Sequence, residues 1–477
     1  MEFHKDEPLT PNGRLFLQPE FNHITTCAIG FKHPLNIQSI KTEFLNSYIL
    51  KHPRMSSLFV IDEHGNEFWR RTQIDLDDHL IIHPPQNPGF ELFETDEKLQ
   101  EEYINAILSD FAVSCPLSTD KPLWELHFYV DLKCMVFRLH HALGDGISLM
   151  SLYLASCRRL DGTKFDGSVN VTKAAEIKKG VKSKSKSKSK YGIEGLWSML
   201  KMIWWTILSV LDFIGRCSSL VKDTRTVLSG GDGVELWPRM AASAKFSLQD
   251  MKTVKAAIPG ATINDVLFGV ISSGFSKYLK IQSPHAIKEG LQITGIAMVN
   301  LRKKPGLQEM SKMMEEDSGA KWGNKFGYIV LPVYYRTNEA NPLNYVKRAK
   351  AMMDQKKHSM EAFLLYFIQN LIMSLFGPKV ASKLNHRVVC NTTFMFTNMV
   401  GPQEEMTLAG NPMTFIRSSS TSLPQAIIMH MMSYAGIANM QILVAKDIIP
   451  NPRFLANCFQ DALVEMKNAA LIYPTNK

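Results

Sequence analysis

Near its middle the chain reads VKSKSKSKSK (Val181 to Lys190), ten residues with no apolar side chain after Val181. Fixing such a stretch costs about 1–2 kcal/mol of backbone entropy per residue, with no burial to offset it. No hydrophobic core can run through it, so it is expected as a solvated linker between the units on either side. We read an N-terminal half over residues 1–160, a basic Lys-Ser linker followed by an apolar segment over 161–235, and a C-terminal half over 236–477. With 477 residues, 45% of them hydrophobic, each half is long enough to bury a core.

The same run explains the charge. The chain carries a net +9, yet Lys173 to Lys190 alone holds eight Lys and one Glu, which leaves the remainder at +2. Nucleic-acid binders spread basic charge over a folded face, so a nucleic-acid partner is not expected. The seven cysteines (Cys27, Cys115, Cys134, Cys157, Cys217, Cys390, Cys458) are odd in number, scattered and free of any C-x-x-C pair, which points to a reducing compartment and to no metal site. The polar start, MEFHKDEPLTPNGR, has no apolar stretch of a secretory signal.

Both halves have an α+β pattern. Ile37, Ile40, Phe44, Leu45, Tyr48 and Ile49 recur at helical spacing, and His52-Pro53 ends that run. Leu58 to Ile61 and Glu67 to Arg70 flank Glu63-His64-Gly65-Asn66, a hairpin pattern. Leu126 to Val130 and Met135 to Leu139 read as strands. Farther on, Ser247 to Asp250 and Thr262 to Asp265 are helix-capping patterns. Leu291 to Val299, Tyr328 to Tyr335, Thr392 to Thr397, Ala426 to Tyr434 and Ile437 to Ala445 read as strands, with Ala435-Gly436 turning the last pair. A final amphipathic helix is marked by Phe454, Leu455, Cys458, Phe459, Ala462, Leu463 and Met466.

The chemistry concentrates in His140-His141-Ala142-Leu143-Gly144-Asp145-Gly146, directly after the strand Met135 to Leu139. Strand ends that open on a cleft commonly display reactive groups. A neutral imidazole, with an ordinary pKa of about 6.5, is suited to take a proton from a hydroxyl and return it to a leaving group. Asp145-Gly146 would close the loop. From spacing alone, a surface turn with two incidental histidines remains open. A metal site is disfavoured, because adjacent histidines rarely converge on one ion and no further Cys or His cluster stands nearby in sequence.

H-H-x-x-x-D-G resembles the signature of the CoA-dependent acyltransferase superfamily, and HHALGDGISL looks like its plant wax ester synthase/diacylglycerol acyltransferase branch. Further elements follow in family order over nearly the whole chain. Pro122-Leu123-Trp124 resembles P-L-W, Asn264-Asp265 resembles N-D, Met298-Val299-Asn300-Leu301-Arg302 resembles V-N-x-R, and Gly323-Asn324 resembles G-N. Asn398-Met399-Val400-Gly401-Pro402 is similar to N-V-x-G-P but departs from it at Met399. The resemblance implies an α+β fold of two chloramphenicol-acetyltransferase-like halves with a tunnel between them. It implies His141 as general base, His140 as structural, and Asp145 paired with Arg302 rather than relaying a proton. Gly144 and Gly146 belong to the same loop. Acyl-CoA is then a substrate, with no cofactor and no metal, and transfer is direct, in keeping with the lack of a G-x-S-x-G nucleophile elbow. Asn264-Asp265 and Pro122-Leu123-Trp124 carry a structural reading beside the functional one, as capping and packing residues, and Asn398 is a further motif position.

Two segments suit lipid. Phe363 to Phe376 (FLLYFIQNLIMSLF) is expected as a buried core helix, with a tunnel wall or membrane-contacting face as the alternative. Leu196 to Ile214 holds Trp197, Trp204 and Trp205 among aliphatics beside the lysine run, features of a bilayer interface. Lys201 and Asp212 interrupt it, so an interfacial or re-entrant helix is expected over a full span. The resemblance thus implies a membrane-associated O-acyltransferase. It would join a long-chain acyl group to a fatty alcohol, giving wax ester, or to diacylglycerol, giving triacylglycerol, at the endoplasmic reticulum or, as the alternative, the plasma membrane. The competing readings are a soluble acyltransferase for small alcohols and a non-catalytic lipid-binding member of the fold.

Overall fold

A computed structural model describes residues 6–85, 96–113, 116–165, 193–284, 287–303, 306–310, 313, 322–337 and 339–472. The Lys-Ser run and Cys115 lie outside the described residues.

Two mixed sheets carry the halves. The N-terminal sheet has seven strands in the spatial order Leu80–His83, Trp124–Tyr129, Cys134–His140, Ile24–Phe31, Asn411–Ser420, Met406–Leu408 and Arg158–Arg159. The C-terminal sheet has six, in the order Phe326–Tyr334, Gln292–Asn300, Phe394–Val400, Ile427–Tyr434, Ile437–Ala445 and Arg239–Ser247. The strands Met406–Leu408 and Asn411–Ser420 leave the C-terminal half and pair into the N-terminal sheet, Ser420 opposite Thr25 and Ile416 opposite Ile29. The N-terminal sheet is therefore closed by residues almost 400 positions away.

The local rules of the sequence operate as expected in most elements. Thr262 accepts from Asp265 N–H while the Asp265 carboxylate accepts from Thr262 N–H, a reciprocal cap that starts the buried helix Ile263–Gln282. That helix packs with Leu343–Lys357 and Pro452–Ile472 over a core that includes Phe275, Phe394 and Phe459. Ala435 and Gly436 both have positive φ, 46° and 83°, the turn that joins Ile427–Tyr434 to Ile437–Ala445. The expected hairpin forms from Ser57–Ile61 and Glu67–Arg71, Ile61 opposite Glu67, and adds a third strand, Glu7–Pro8.

Two expectations are corrected. The apolar run from Ile37 to Ile49 is not one helix but two, Ile37–Asn46 and Tyr48–Lys51. Ser47 is extended between them, its hydroxyl accepting from Ile49 N–H, so it ends the first and caps the second. Phe363 to Phe376 is not a core helix. It lies in the helix Glu361–Cys390, broken at Gly377 (φ 75°) and Pro378, and turns Phe363, Phe367, Leu371 and Leu375 outward, with Phe367 61% and Leu375 65% exposed. The segment Leu196 to Ile214 lies in the helix Ile193–Cys217, whose outer face presents Trp197, Leu200, Trp204, Leu211 and Ile214. The two helices touch, Ser209 Oγ lying 2.9 Å from a Glu361 carboxylate oxygen. Arg216, buried at the end of the first, bonds the Asn391 carbonyl and Thr294 and so fixes it to the C-terminal half. Trp197–Cys217 and Glu361–Cys390 are long and apolar enough to cross a membrane, and only 11% of their most apolar window is buried.

Candidate active site

The strand Cys134–His140 delivers the motif to the seam between the sheets. His141 N–H donates to the His23 carbonyl (2.7 Å) and His140 N–H to that of Leu123 (3.0 Å), so the chain turns sharply while both backbone groups stay paired. Asp145 then caps the helix Gly146–Leu154, its carboxylate accepting from Ser148 N–H at 3.0 Å. The same carboxylate accepts from Arg302 Nη1 (2.6 Å) and Lys325 N–H (3.0 Å). Arg302 Nη2 donates to Ser148 Oγ (2.9 Å) and to the Gly323 carbonyl (2.7 Å), and both charged side chains are at least nine-tenths buried. Arg302 lies two residues beyond the end of the strand Gln292–Asn300, so this pair joins the two halves beneath the loop.

Four consecutive residues of the C-terminal half hold the loop from the other side. Trp322 Nε1 donates to the Leu143 carbonyl (2.8 Å), Gly323 O accepts from Arg302, Asn324 Nδ2 donates to the His141 carbonyl (2.9 Å), and Lys325 N–H reaches Asp145. Gly144 lets Trp322 approach, since a Cβ there would stand 3.2 Å from its ring. With its amide nitrogen committed to a carbonyl, Asn324 presents Oδ1 to His141 Nδ1 at 3.0 Å. Oδ1 only accepts, so Nδ1 carries the imidazole proton and the lone pair is on Nε2. Among the described residues Nε2 has no hydrogen-bond partner.

His140 has both ring nitrogens occupied. Its Nδ1 accepts from Ala142 N–H (3.1 Å), its Nε2 lies 3.2 Å from Asn22 Oδ1, and burial pushes its pKa down to about 3. His141 is half-buried and lines a cavity of about 460 Å³, within the range of small-molecule sites. Burial lowers its pKa, opposed by the Asp145 charge and then by the Asn324 bond. Both halves line the cavity: Phe16 and His23 from one, Met298, Asn398, Val388 and His430 from the other. His430 lies 2.8 Å from Thr397 Oγ1 and 3.0 Å from Ser420 Oγ, and burial, then the neighbouring His141, brings its pKa down to about 4. His23 is held well below its ordinary value by burial and by the same neighbours. At neutral pH the cavity therefore contains neutral imidazoles, and the base form of His141 is the resting form.

The remaining motif residues separate into two groups. Asn264 and Asn398 line the cavity and bond to each other, Asn398 Nδ2 to Asn264 Oδ1 at 2.8 Å, whereas Asp265 is fully buried in its helix cap. Gly146 and Asp145 line the cavity as well. Pro122, Leu123 and Trp124 lie behind the loop: Trp124 stacks on His79 at 3.9 Å and donates to the Met55 carbonyl. His23, His430 and Trp322 carried no motif, and Asn324 carried one without a role. A lone histidine inside the apolar strand sequence IIMHMMSY was the signal available for His430.

His141 thus lines an apolar cavity to which both halves contribute residues, and comparison with known proteins shows the class of protein to which such a chain belongs. The family model for the wax ester synthase/diacylglycerol acyltransferase catalytic domain matches residues 59–267, and that for the WS/DGAT C-terminal domain matches residues 322–467. Wax ester synthase/diacylglycerol acyltransferase 4 of Arabidopsis thaliana is 33% identical over 98% of this chain and 91% of its own length. Number 5 of the same organism is 32% identical over 97% of this chain and 94% of its own. Among solved structures, the wax ester synthase/diacylglycerol acyltransferase from Marinobacter aquaeolei VT8 superposes with a TM-score of 0.59 at 16% identity, covering 97% of this chain and 99% of that one. The first condensation domain of the calcium-dependent antibiotic synthetase gives 0.57 at 13% identity, covering 100% and 98%. At those identities the likeness is one of fold, chloramphenicol-acetyltransferase-like, as the motifs implied. The chain belongs to the wax ester synthase/diacylglycerol acyltransferase family, and its activity is acyl transfer.

Proposed function

We propose that the protein joins a long-chain acyl group from acyl-CoA to a fatty alcohol, forming wax ester, or to diacylglycerol, forming triacylglycerol, with His141 as general base. The observation that carries this reading is the 3.0 Å contact of His141 Nδ1 with Asn324 Oδ1, from which the Nδ1–H tautomer and an Nε2 lone pair at the cavity follow. Nε2 takes the hydroxyl proton, and the alcohol oxygen bonds to the thioester carbonyl carbon. The tetrahedral intermediate then collapses with loss of the C–S bond, and CoA leaves as the thiol with the proton from Nε2. Leu15, Phe21, Ile296 and Val389 give the cavity an apolar wall for acyl chains. A tunnel open at two mouths would admit CoA and the acceptor from opposite sides, and a single substrate entrance would speak against it. Radiolabelled acyl-CoA supplied to microsomes with hexadecanol or diacylglycerol, offered separately, checks the assignment. Labelled ester from either acceptor supports it; ester from short alcohols alone would favour the small-alcohol reading.

Asn324 is a positioning residue in this scheme. Asn324→Ala is expected to lower kcat roughly 10²-fold, since a misaligned base loses much of the 10²–10⁴-fold that general bases supply. Asn324→Asp keeps the contact but puts a carboxylate beside the ring, which favours the imidazolium. Wild-type kcat/KM should fall only below pH 6.5, the ordinary histidine value, because burial lowers the His141 pKa. In Asn324→Asp that acid limb should move up by about 1–3 pH units. An unmoved limb would remove Asn324 from this role.

The two apolar helices support membrane association, and the family resemblance suggests the endoplasmic reticulum, with the plasma membrane as the alternative. The two helices touch and each turns large apolar side chains outward, and each buried apolar side chain contributes about 1.5–3 kcal/mol. Changing Phe363, Phe367, Leu371 and Leu375 together to Ser should abolish co-flotation with liposomes. Undiminished flotation would place the contact elsewhere.

A further inference from the structure

The last turns of the helix Glu361–Cys390 serve two sides. Asn385, Val388 and Val389 line the cavity, while His386 and Cys390, one turn apart, meet the segment that contains Asp232 and Glu235. Cys390 Sγ lies 3.5 Å from His386 Nδ1. A tetrahedral zinc ion bound by one nitrogen at about 2.0 Å and one sulfur at about 2.3 Å holds those two atoms about 3.5 Å apart. The donor atoms of Asp232, His386 and Cys390 all lie within 4.8 Å of one another, and the exposed Asp232, whose Oδ1 stands 3.8 Å from His386 Nε2, would swing round to the Nδ1 edge to ligate. On the other edge of the ring, His386 Nε2 stands 3.5 Å from Glu235 Oε1. Histidines that bind metal commonly give their second N–H to a carboxylate in this way. The other Glu235 oxygen, Oε2, is buried and has no hydrogen-bond partner among the described residues, although the Arg239 charge lies near enough to interact with this carboxylate.

We propose that Asp232, His386 Nδ1 and Cys390 Sγ form a binding site for a divalent transition metal, with Glu235 orienting His386 from behind. The thiolate, imidazole and carboxylate donors together suit zinc better than calcium or magnesium, which take oxygen ligands. Cys390 is a thiol without the ion, its ionisation opposed first by burial and then by Asp232 and Glu235. On binding, the S–H proton goes to solvent and the sulfur pair to the metal. Three protein ligands leave a fourth position to water. The ion would fasten residues 232–235 to the helix whose opposite side walls the acyl cavity. The pattern was invisible in sequence because the two pairs of donors lie about 150 positions apart.

Cobalt(II) is the probe, added to chelator-stripped, detergent-purified full-length protein. A thiolate-to-cobalt charge-transfer band is expected to saturate at one equivalent per chain and to bleach on addition of zinc. Cys390→Ser should lose the band, although the other six cysteines remain. His386→Ala should weaken binding at least tenfold. Glu235→Gln should keep the band but weaken binding about 10–100-fold. Absence of a saturable band, or a full band in Cys390→Ser with native circular dichroism, would overturn the site. Because the readout is the metal's own spectrum, it is independent of the transfer activity and of His141.

Discussion

Asp145→Ala is expected to cost about 3–5 kcal/mol of stability, the range for breaking a buried ion pair on one side. The Arg302 side chain, 1% exposed, would keep its charge but lose the Asp145 carboxylate. The helix Gly146–Leu154 would lose its N-cap as well, usually worth about 1 kcal/mol. Lys325 N–H would be left without its acceptor at the seam between the halves. Asp145→Asn keeps the shape and an acceptor for Ser148 but drops the charge, so an intermediate loss is expected. Urea unfolding followed by tryptophan fluorescence measures all three. An Asp145→Ala protein as stable as wild type would show that the pair does not hold the loop. The carboxylate meets Ser148, Arg302 and Lys325 rather than the His141 ring, so its influence on the base is positional and through space.

Local patterns were legible wherever one stretch of chain decides its own structure. The hairpin around Gly65, the caps at Ser247 and Thr262 and the paired strands from Ile427 to Ala445 follow from turn chemistry and alternation within a few residues. The crossing of Asn411–Ser420 into the N-terminal sheet did not, since nothing in NPMTFIRSSS names a partner near Thr25. Nor did the outward face of Phe363 to Phe376. An all-apolar helix has the same sequence whether protein or lipid covers it. At the site, HHALGDG could be placed at a strand end, and the pairing of Asp145 with Arg302 was implied by resemblance and is present as a 2.6 Å contact. The hold of Trp322 to Lys325 on the loop spans about 180 positions, and periodicity carries no trace of such a contact.

The second large effect falls on turnover alone. His141 gives the fold its backbone bond to His23 and its carbonyl to Asn324, and both survive side-chain truncation. His141→Ala should therefore unfold within about 1 kcal/mol of wild type, unlike Asp145→Ala. Its ester formation should fall by the roughly 10²–10⁴-fold that a general base provides, because His23, His140 and His430 hold their own partners and burial keeps them poor bases. The decisive measurement is the initial rate of labelled ester formation by purified His141→Ala beside wild type, at matched folded fraction and saturating acyl-CoA. A loss of two or more orders of magnitude is the expected result, and a rate within a few fold of wild type would contradict a base at position 141.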